Sequence, residues 1–280
     1  KEMAGTRLSL EEEKESDSKA FANYTYFVLC LAYLMLPVTS TAIANTVRGC
    51  QPYDDGTGED GAEVAYFYSD LSVQCYTSTY YFYVTFAYVM VFSPIGGPVG
   101  CPMMFGALLW WNKKAISDPK GSDLATKLQN RTNDPALKPL MFLFSAYVPQ
   151  RWWYDSYDCI RRVSLTALLV LIDKEQERLT VAVYLSFLFV LIHCTSHPYE
   201  NHRTNGLALG AHVLIFTVFF SGQQLLVGVW SNEDSSLGSA LVGGILAVTC
   251  VLVYLQITES KETALAVLKR HERDIQALEM

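Results

Sequence analysis

Four ionisable residues in an apolar setting carry the first chemical signal. They are Asp155, Asp158, Arg161 and Arg162, within the string WWYDSYDCIRRVSLTALLVLI that runs from Trp152 to Ile172. On a helix Asp158 falls three and four residues from the arginines, with Asp155 a turn further back on the same face, so carboxylate and guanidinium can pair. From Val163 to Ile172 the string carries no charge, which places the four groups at the edge of a membrane span. Ionisable groups there are costly and face a protein interior or water, so gating, internal pairing and lipid contact are the chemistries to weigh. A voltage sensor would repeat arginine every third residue, and that repeat is absent. One expected arrangement has one arginine reaching lipid phosphate while the other pairs with Asp158 or Asp155. Trp152 and Trp153 suit the headgroup level, as interfacial aromatics do.

Other residue types offer less. No CxxC pair occurs among the seven cysteines, so neither a zinc site nor a disulfide scaffold is expected. Cys50 and Cys75 flank one loop between spans, where they either bridge or remain two thiols. His193 and His197 lie four apart, with His202 in the next loop and His212 beyond it. Two spans each offering a histidine can hold a haem or a metal, but matched depths and further histidine boxes are missing. The plainer reading has these histidines capping helix ends and bonding backbone, and no cofactor is expected. No phosphate loop, nucleophile elbow or HExxH occurs, so no enzymatic activity is expected. The net charge of −7 argues against nucleic-acid binding.

The elements that must position these groups are helices in a membrane. Half the chain is hydrophobic (51%), 13% is aromatic and mean hydropathy is +0.18, a balance unusual for a soluble domain of 280 residues. Crossing a hydrocarbon core takes about 20 helical residues. Six stretches qualify or nearly so, near 24–46, 78–98, 155–173, 179–197, 206–229 and 237–257. The expected fold is therefore an all-α polytopic bundle over 23–257, with a charged cytosolic linker at 1–22 and a cytosolic helix at 258–280. That linker reads as cut from something longer, so the chain is expected to be the membrane part of a larger protein.

The apolar run Ser78 to Trp111 would be about 50 Å long as one helix, too long for a single crossing. Pro94, Gly96, Gly97 and Pro98 interrupt it, so a kink, a stop or a re-entrant loop is expected there, with a hinge as the functional version. The run Leu137 to Val148 is too short to span and is expected to lie on the bundle or at the interface. Gly206 and Gly210 form a GxxxG suited to close helix contact within the bundle.

Orientation follows the basic residues. The connection 112–154 holds Lys113, Lys114, Lys120, Lys127, Arg131, Lys138 and Arg151 and is assigned to the cytosol. The loop 47–77, rich in Asp and Glu, then faces out.

Several strings occur in a distinctive order: YSDLSVQC from Tyr68 to Cys75, SPIGGP, LKPLMFLFSAYVPQRWWYDSYDCIRR, and HPYENHRTN. Over residues 65–230 this order resembles the multipass membrane module at the carboxyl end of large protist and algal surface proteins with ephrin-receptor-like cysteine-rich repeats. It is distantly similar to the fungal transient receptor potential (TRP)-like family. Asp155 stands where that pattern has glutamate, and Ser93 where it has tyrosine before the proline–glycine break. The resemblance implies a channel-like or receptor-like module in a plasma or ciliary membrane, with an ectodomain or protein partners on its outer side. Two functions from different classes follow: a cation-conducting or sensory module, and a non-conducting anchor for an extracellular assembly. The short loop from Trp230 to Gly238 has no room for a pore helix and carbonyl filter. Glu233 and Asp234 could still ring an outer mouth in an oligomer, although a solvated loop is the simpler reading.

Overall fold

In a computed structural model, residues 2–53, 64–119 and 124–228 are described, together with short helical stretches between 243 and 261. The chain divides into two compact units, Lys1–Asp173 and Lys174–Met280.

The first unit begins with α1 (Glu2–Arg48), a single helix of 47 residues. The charged stretch at 1–22, expected as a linker, is thus helical and continuous with the first apolar segment. Its Glu, Lys, Leu and Ala residues are strong helix formers, and no proline occurs before Pro37. Pro37 removes one rung without ending the helix. The Thr41 hydroxyl donates to the Pro37 carbonyl, and the Thr39 hydroxyl lies within reach of the Met35 and Leu36 carbonyls.

The loop expected at 47–77 holds a small antiparallel sheet that the all-α reading did not anticipate: β1 (Cys50–Tyr53), β2 (Val64–Phe67) and β3 (Asp70–Gln74), in that order. The Cys50–Cys75 disulfide forms and closes the base of this meander. Phe67, 3% exposed, wedges between Tyr80 and Tyr83, with ring centroids at 5.5 and 6.3 Å, and so fastens the sheet to the next helix. The Ser72 hydroxyl and amide both bond Asp70, holding its carboxyl below the usual carboxylate range.

Helix α2 (Ser78–Val91) starts at Thr77, whose hydroxyl accepts from the Tyr80 amide. It stops well before residue 98, where the apolar pattern placed the end of a span. The chain turns through Ser93–Val99 and resumes as α3 (Gly100–Trp111). Gly96 takes φ +80°, and a Cβ there would come within 2.6 Å of the Thr39 hydroxyl, which donates to the Gly96 carbonyl at 2.6 Å. The turn is therefore pinned onto α1.

Short helices α4 (Lys113–Ser117), α5 (Leu124–Asn133) and α6 (Met141–Phe144) follow, with 3-10 turns at Lys138–Leu140 and Pro149–Arg151. Leu137, Leu140, Leu143 and Phe144 are buried in one cluster with Leu29, Leu36, Phe105, Leu109 and Cys159. The apolar run 137–148 thus packs on the bundle, as its length allowed.

Helix α7 (Tyr154–Val163) continues into a π-helical turn at Ser164–Leu168. The hydroxyls of Ser164 and Thr166 bond the carbonyls of Ile160 and Arg162, satisfying acceptors where the helical ladder changes register.

The second unit contains α8 (Glu175–Ser196) and α9 (His202–Leu226), packed along one another. Among the described residues three helices are long and apolar enough to cross a membrane: Ala20–Arg48, Glu175–Ser196 and His202–Leu226. Much of their apolar surface is exposed, including Leu34 (71%) and Tyr184 (71%), as a lipid-facing helix requires. Among the described residues nothing lies within 4 Å of where a Cβ on Gly206 would sit. Described positions between 243 and 261 are helical. The loop with Glu233 and Asp234, the start of the sixth expected span and most of the helix at 258–280 lie outside the described residues.

Candidate functional site

The four charged residues of the opening string sit on α7, a strongly amphipathic helix with its acids and one arginine turned inward. Asp155, Asp158 and Arg161 are all buried, at 3, 5 and 9% exposure. Asp158 is the centre. Its Oδ1 accepts from Arg161 Nε at 2.8 Å and Nη2 at 2.7 Å. Its Oδ2 accepts from Arg162 Nε at 2.7 Å and from the Tyr33 hydroxyl at 2.9 Å. One carboxylate thus receives four donors from three side chains, the saturation that a buried charge needs. The Arg162 guanidinium also lies 4.5 Å over the Tyr33 ring.

Both arginines therefore pair with the same aspartate. The expected pairing of one arginine with Asp158 thus extends to both, and the Arg162 side chain stays 37% exposed. The i+3 and i+4 positions on one helical face bring both guanidiniums within reach of Asp158, and a bond to a fixed carboxylate costs less ordering than one to a mobile headgroup.

Asp155 does not join either arginine. Its Oδ1 accepts from the Tyr147 hydroxyl at 3.3 Å, while its Oδ2, also buried, has no hydrogen-bond partner among the described residues. Tyr147 in turn uses its carbonyl to accept from Arg131 Nη2 at 3.0 Å, and Arg131 is only 1% exposed with its guanidinium 5.1 Å from the Phe144 ring. Asp158 ties α7 to α1 through Tyr33, and Asp155 ties α7 to the preceding loop through Tyr147.

The tryptophans belong to a neighbouring group. Trp152 packs edge-on against Trp110 at 5.9 Å, and Lys113 lies 5.1 and 5.3 Å from the two rings. Trp153 contacts Tyr154 and Tyr157 instead. Pro94, Gly96, Gly97 and Pro98 form the pinned turn between α2 and α3, away from the charges. A Cβ on Gly97 would come within 2.5 Å of the Met90 and Ser93 carbonyls, so the turn tolerates only glycine there.

Sequence reasoning missed Tyr33, Tyr147 and Arg131. Each had a faint signal: a phenol hydroxyl in mid-span and an arginine beside an apolar run both require partners. What the spacing could not show is which long-range partner each one finds.

In the second unit the histidines turn to backbone. His193, 1% exposed, has Nε2 3.1 Å from the Asn205 carbonyl, and His212 has Nδ1 2.6 Å from the Ala208 carbonyl. Their rings stack at 4.8 Å. Asn205 clasps the intervening loop, donating to the Tyr199 carbonyl at 2.7 Å and accepting from its amide at 3.1 Å. His197 ends α8 in the left-handed conformation. Among the described residues no group of three or more His, Cys, Asp or Glu is arranged to hold a metal.

In comparisons with family models, curated proteins and solved structures, nothing matches this chain, so its likeness to the surface-protein module rests on its motifs alone.

Proposed function

We propose that the chain is a channel-like, TRP-like integral membrane module of a larger surface protein, acting as a cation-conducting or sensory element of the plasma or ciliary membrane. On this reading the bundle has six crossings, the second interrupted by the Ser93–Val99 turn, with residues 112–154 in the cytosol and the disulfide-closed sheet outside. The observation that carries it is the Asp158 node. A buried carboxylate with four donors drawn from two helices is an unusual way to join two spans, and interactions of this type can be broken and remade as a unit when helices shift. Separating Tyr33 from Asp158 would leave two arginines sharing one weaker acceptor, which gives α1 and α7 two distinct arrangements. The pinned glycine turn between α2 and α3 supplies a fixed point against which such a shift can work.

The test is recording from the purified chain in planar bilayers, with Arg161→Ala and Asp158→Ala beside it. Currents altered by both changes are expected. Currents indifferent to both would remove the node from any gating role.

A second reading, a non-conducting anchor for an extracellular assembly, draws on a different observation. The small sheet is braced by a disulfide and carries exposed Tyr68, Leu71 and Tyr76, the last at 71%. Rigid aromatic surface of this kind suits a protein partner. Absence of current in every preparation would favour the anchor.

A further inference from the structure

At the end of α7 away from the charged node, beside its π-helical turn, the first unit contains a cavity of about 220 Å³ whose ten lining residues are all apolar. Its origin is local. Ala44 on α1 and Ala167 in the π-helical turn present only methyl groups, Pro98 contributes a compact ring, and Leu168 and Leu171 line the outer side. Val99, Leu168 and Leu171 remain 38, 47 and 43% exposed, so the space is an open groove, and its wholly apolar lining favours an apolar guest over water. Such π turns recur at functional sites.

The cavity's position says what kind of guest. Val47, a wall residue, is followed immediately by Arg48, where the apolar segment of α1 ends, and Leu171 lies two residues before Asp173. Arg48 Nε is 3.0 Å from Asp173 Oδ1, and its guanidinium lies 4.4 Å over the Tyr68 ring. Asp173 is 80% exposed at its side chain and Arg48 17%. An apolar slot thus continues along the chain into one cation, one accessible anion and an aromatic ring. That order matches a zwitterionic phospholipid: acyl chain, phosphate, then a quaternary ammonium that favours carboxylate and aromatic faces.

We propose that this cavity binds an acyl chain of a phosphatidylcholine, with Arg48 meeting its phosphate and Asp173 and Tyr68 its ammonium. The lipid fills the space between α1 and the π turn and couples bilayer composition to the helix that carries Asp158. The inference rests on Ala20–Arg48 crossing the bilayer and not on conduction.

The test is photolabelling of the full chain in phosphatidylcholine vesicles containing a phosphatidylcholine with a diazirine on its acyl chain. Adducts are expected on residues 43–47 and 163–171 above those on the exposed Phe82 to Val89 face. Ala167→Phe fills the cavity and displaces about two or three methylene groups, so cavity labelling should fall roughly 15- to 50-fold while the Phe82 to Val89 signal stays. Equal labelling of variant and wild type at the cavity would overturn the proposal, as would adducts spread evenly over exposed faces. Asp173→Lys, at an exposed side chain, should shift cavity labelling from phosphatidylcholine to phosphatidylglycerol probes in mixed vesicles, and an unchanged preference would overturn the headgroup assignment. Absence of label from the Phe82 to Val89 face as well would sink the membrane reading itself.

Discussion

Asp158 on α7 and His193 on α8 are both polar residues almost wholly removed from solvent, yet they are satisfied in opposite ways. Asp158 collects four donors from side chains on α7 and α1. His193 spends its bond on a backbone carbonyl of its own helical hairpin, where Asn205 closes the loop. A charge left in apolar packing needs counter-charge and filled lone pairs: the arginines come from one turn along α7, and the last donor, Tyr33, is brought from α1. The His193 ring finds its backbone partner within one tight hairpin. The first arrangement links distant elements and is sensitive to their relative movement. The second fixes one turn.

That difference can be broken most forcefully at its centre. Asp158→Ala leaves Arg161 and Arg162 inside the fold without a counter-ion, and a loss of about 3–5 kcal/mol is expected in reversible unfolding in mixed micelles. A loss below about 1 kcal/mol would mean that the arginines escape to solvent with little penalty and that the node is a surface pair. Next in size is Asn205→Ala, which strips the Tyr199 amide and carbonyl of their partner and should lower stability by about 1–3 kcal/mol. Its signature is local, as faster hydrogen exchange at residues 197–205 with the first unit unchanged. Exchange that rises across the whole chain would erase the contrast between a linking node and a local clasp.

Finer changes sharpen the comparison. Tyr33→Phe removes one of the four donors and retains the ring under Arg162, so about 1 kcal/mol is expected. In a double-mutant cycle with Arg162→Ala the two effects should fail to add, and strict additivity would show that Tyr33 and Arg162 act independently. Smallest is Gln223→Leu, which deletes the bond from Gln223 to the Thr180 hydroxyl at 3.0 Å between α8 and α9. Interhelical hydrogen bonds in membranes average about 0.6 kcal/mol, so the hairpin should barely register the change. A loss several times larger would place this bond with the Asp158 node.

Parts of this could be read without coordinates. The apolar periods that became α1, α8 and α9 are long, and a bilayer leaves a chain of that composition few options besides helices. The pairing of Asp158 with an arginine followed from i+3 and i+4 spacing, because helical geometry alone brings those side chains together. Cys50 and Cys75 bracket one loop, and their bridge was among the outcomes their placement allowed. Other parts were not legible. The sheet at residues 50–74 depends on cross-strand register and on Phe67 finding Tyr80 and Tyr83, none of which a short polar loop announces. Asp155 lies six and seven residues before the arginines, beyond i+4 reach, and what the sequence did not announce is that Tyr147 arrives from a separate loop to bond it.

By itself the sequence determined that this chain contains long lipid-compatible helices and a charged turn where one of them begins, since hydrophobic length and helical spacing are local properties. Tertiary structure alone decided that Tyr33 completes the Asp158 node, that the glycine turn is pinned to Thr39, and that two alanines and a π turn leave an apolar cavity beside Arg48. Those outcomes depend on which surfaces meet across the fold, and contacts between residues 125 positions apart, as for Tyr33 and Asp158, leave no periodic trace in the chain.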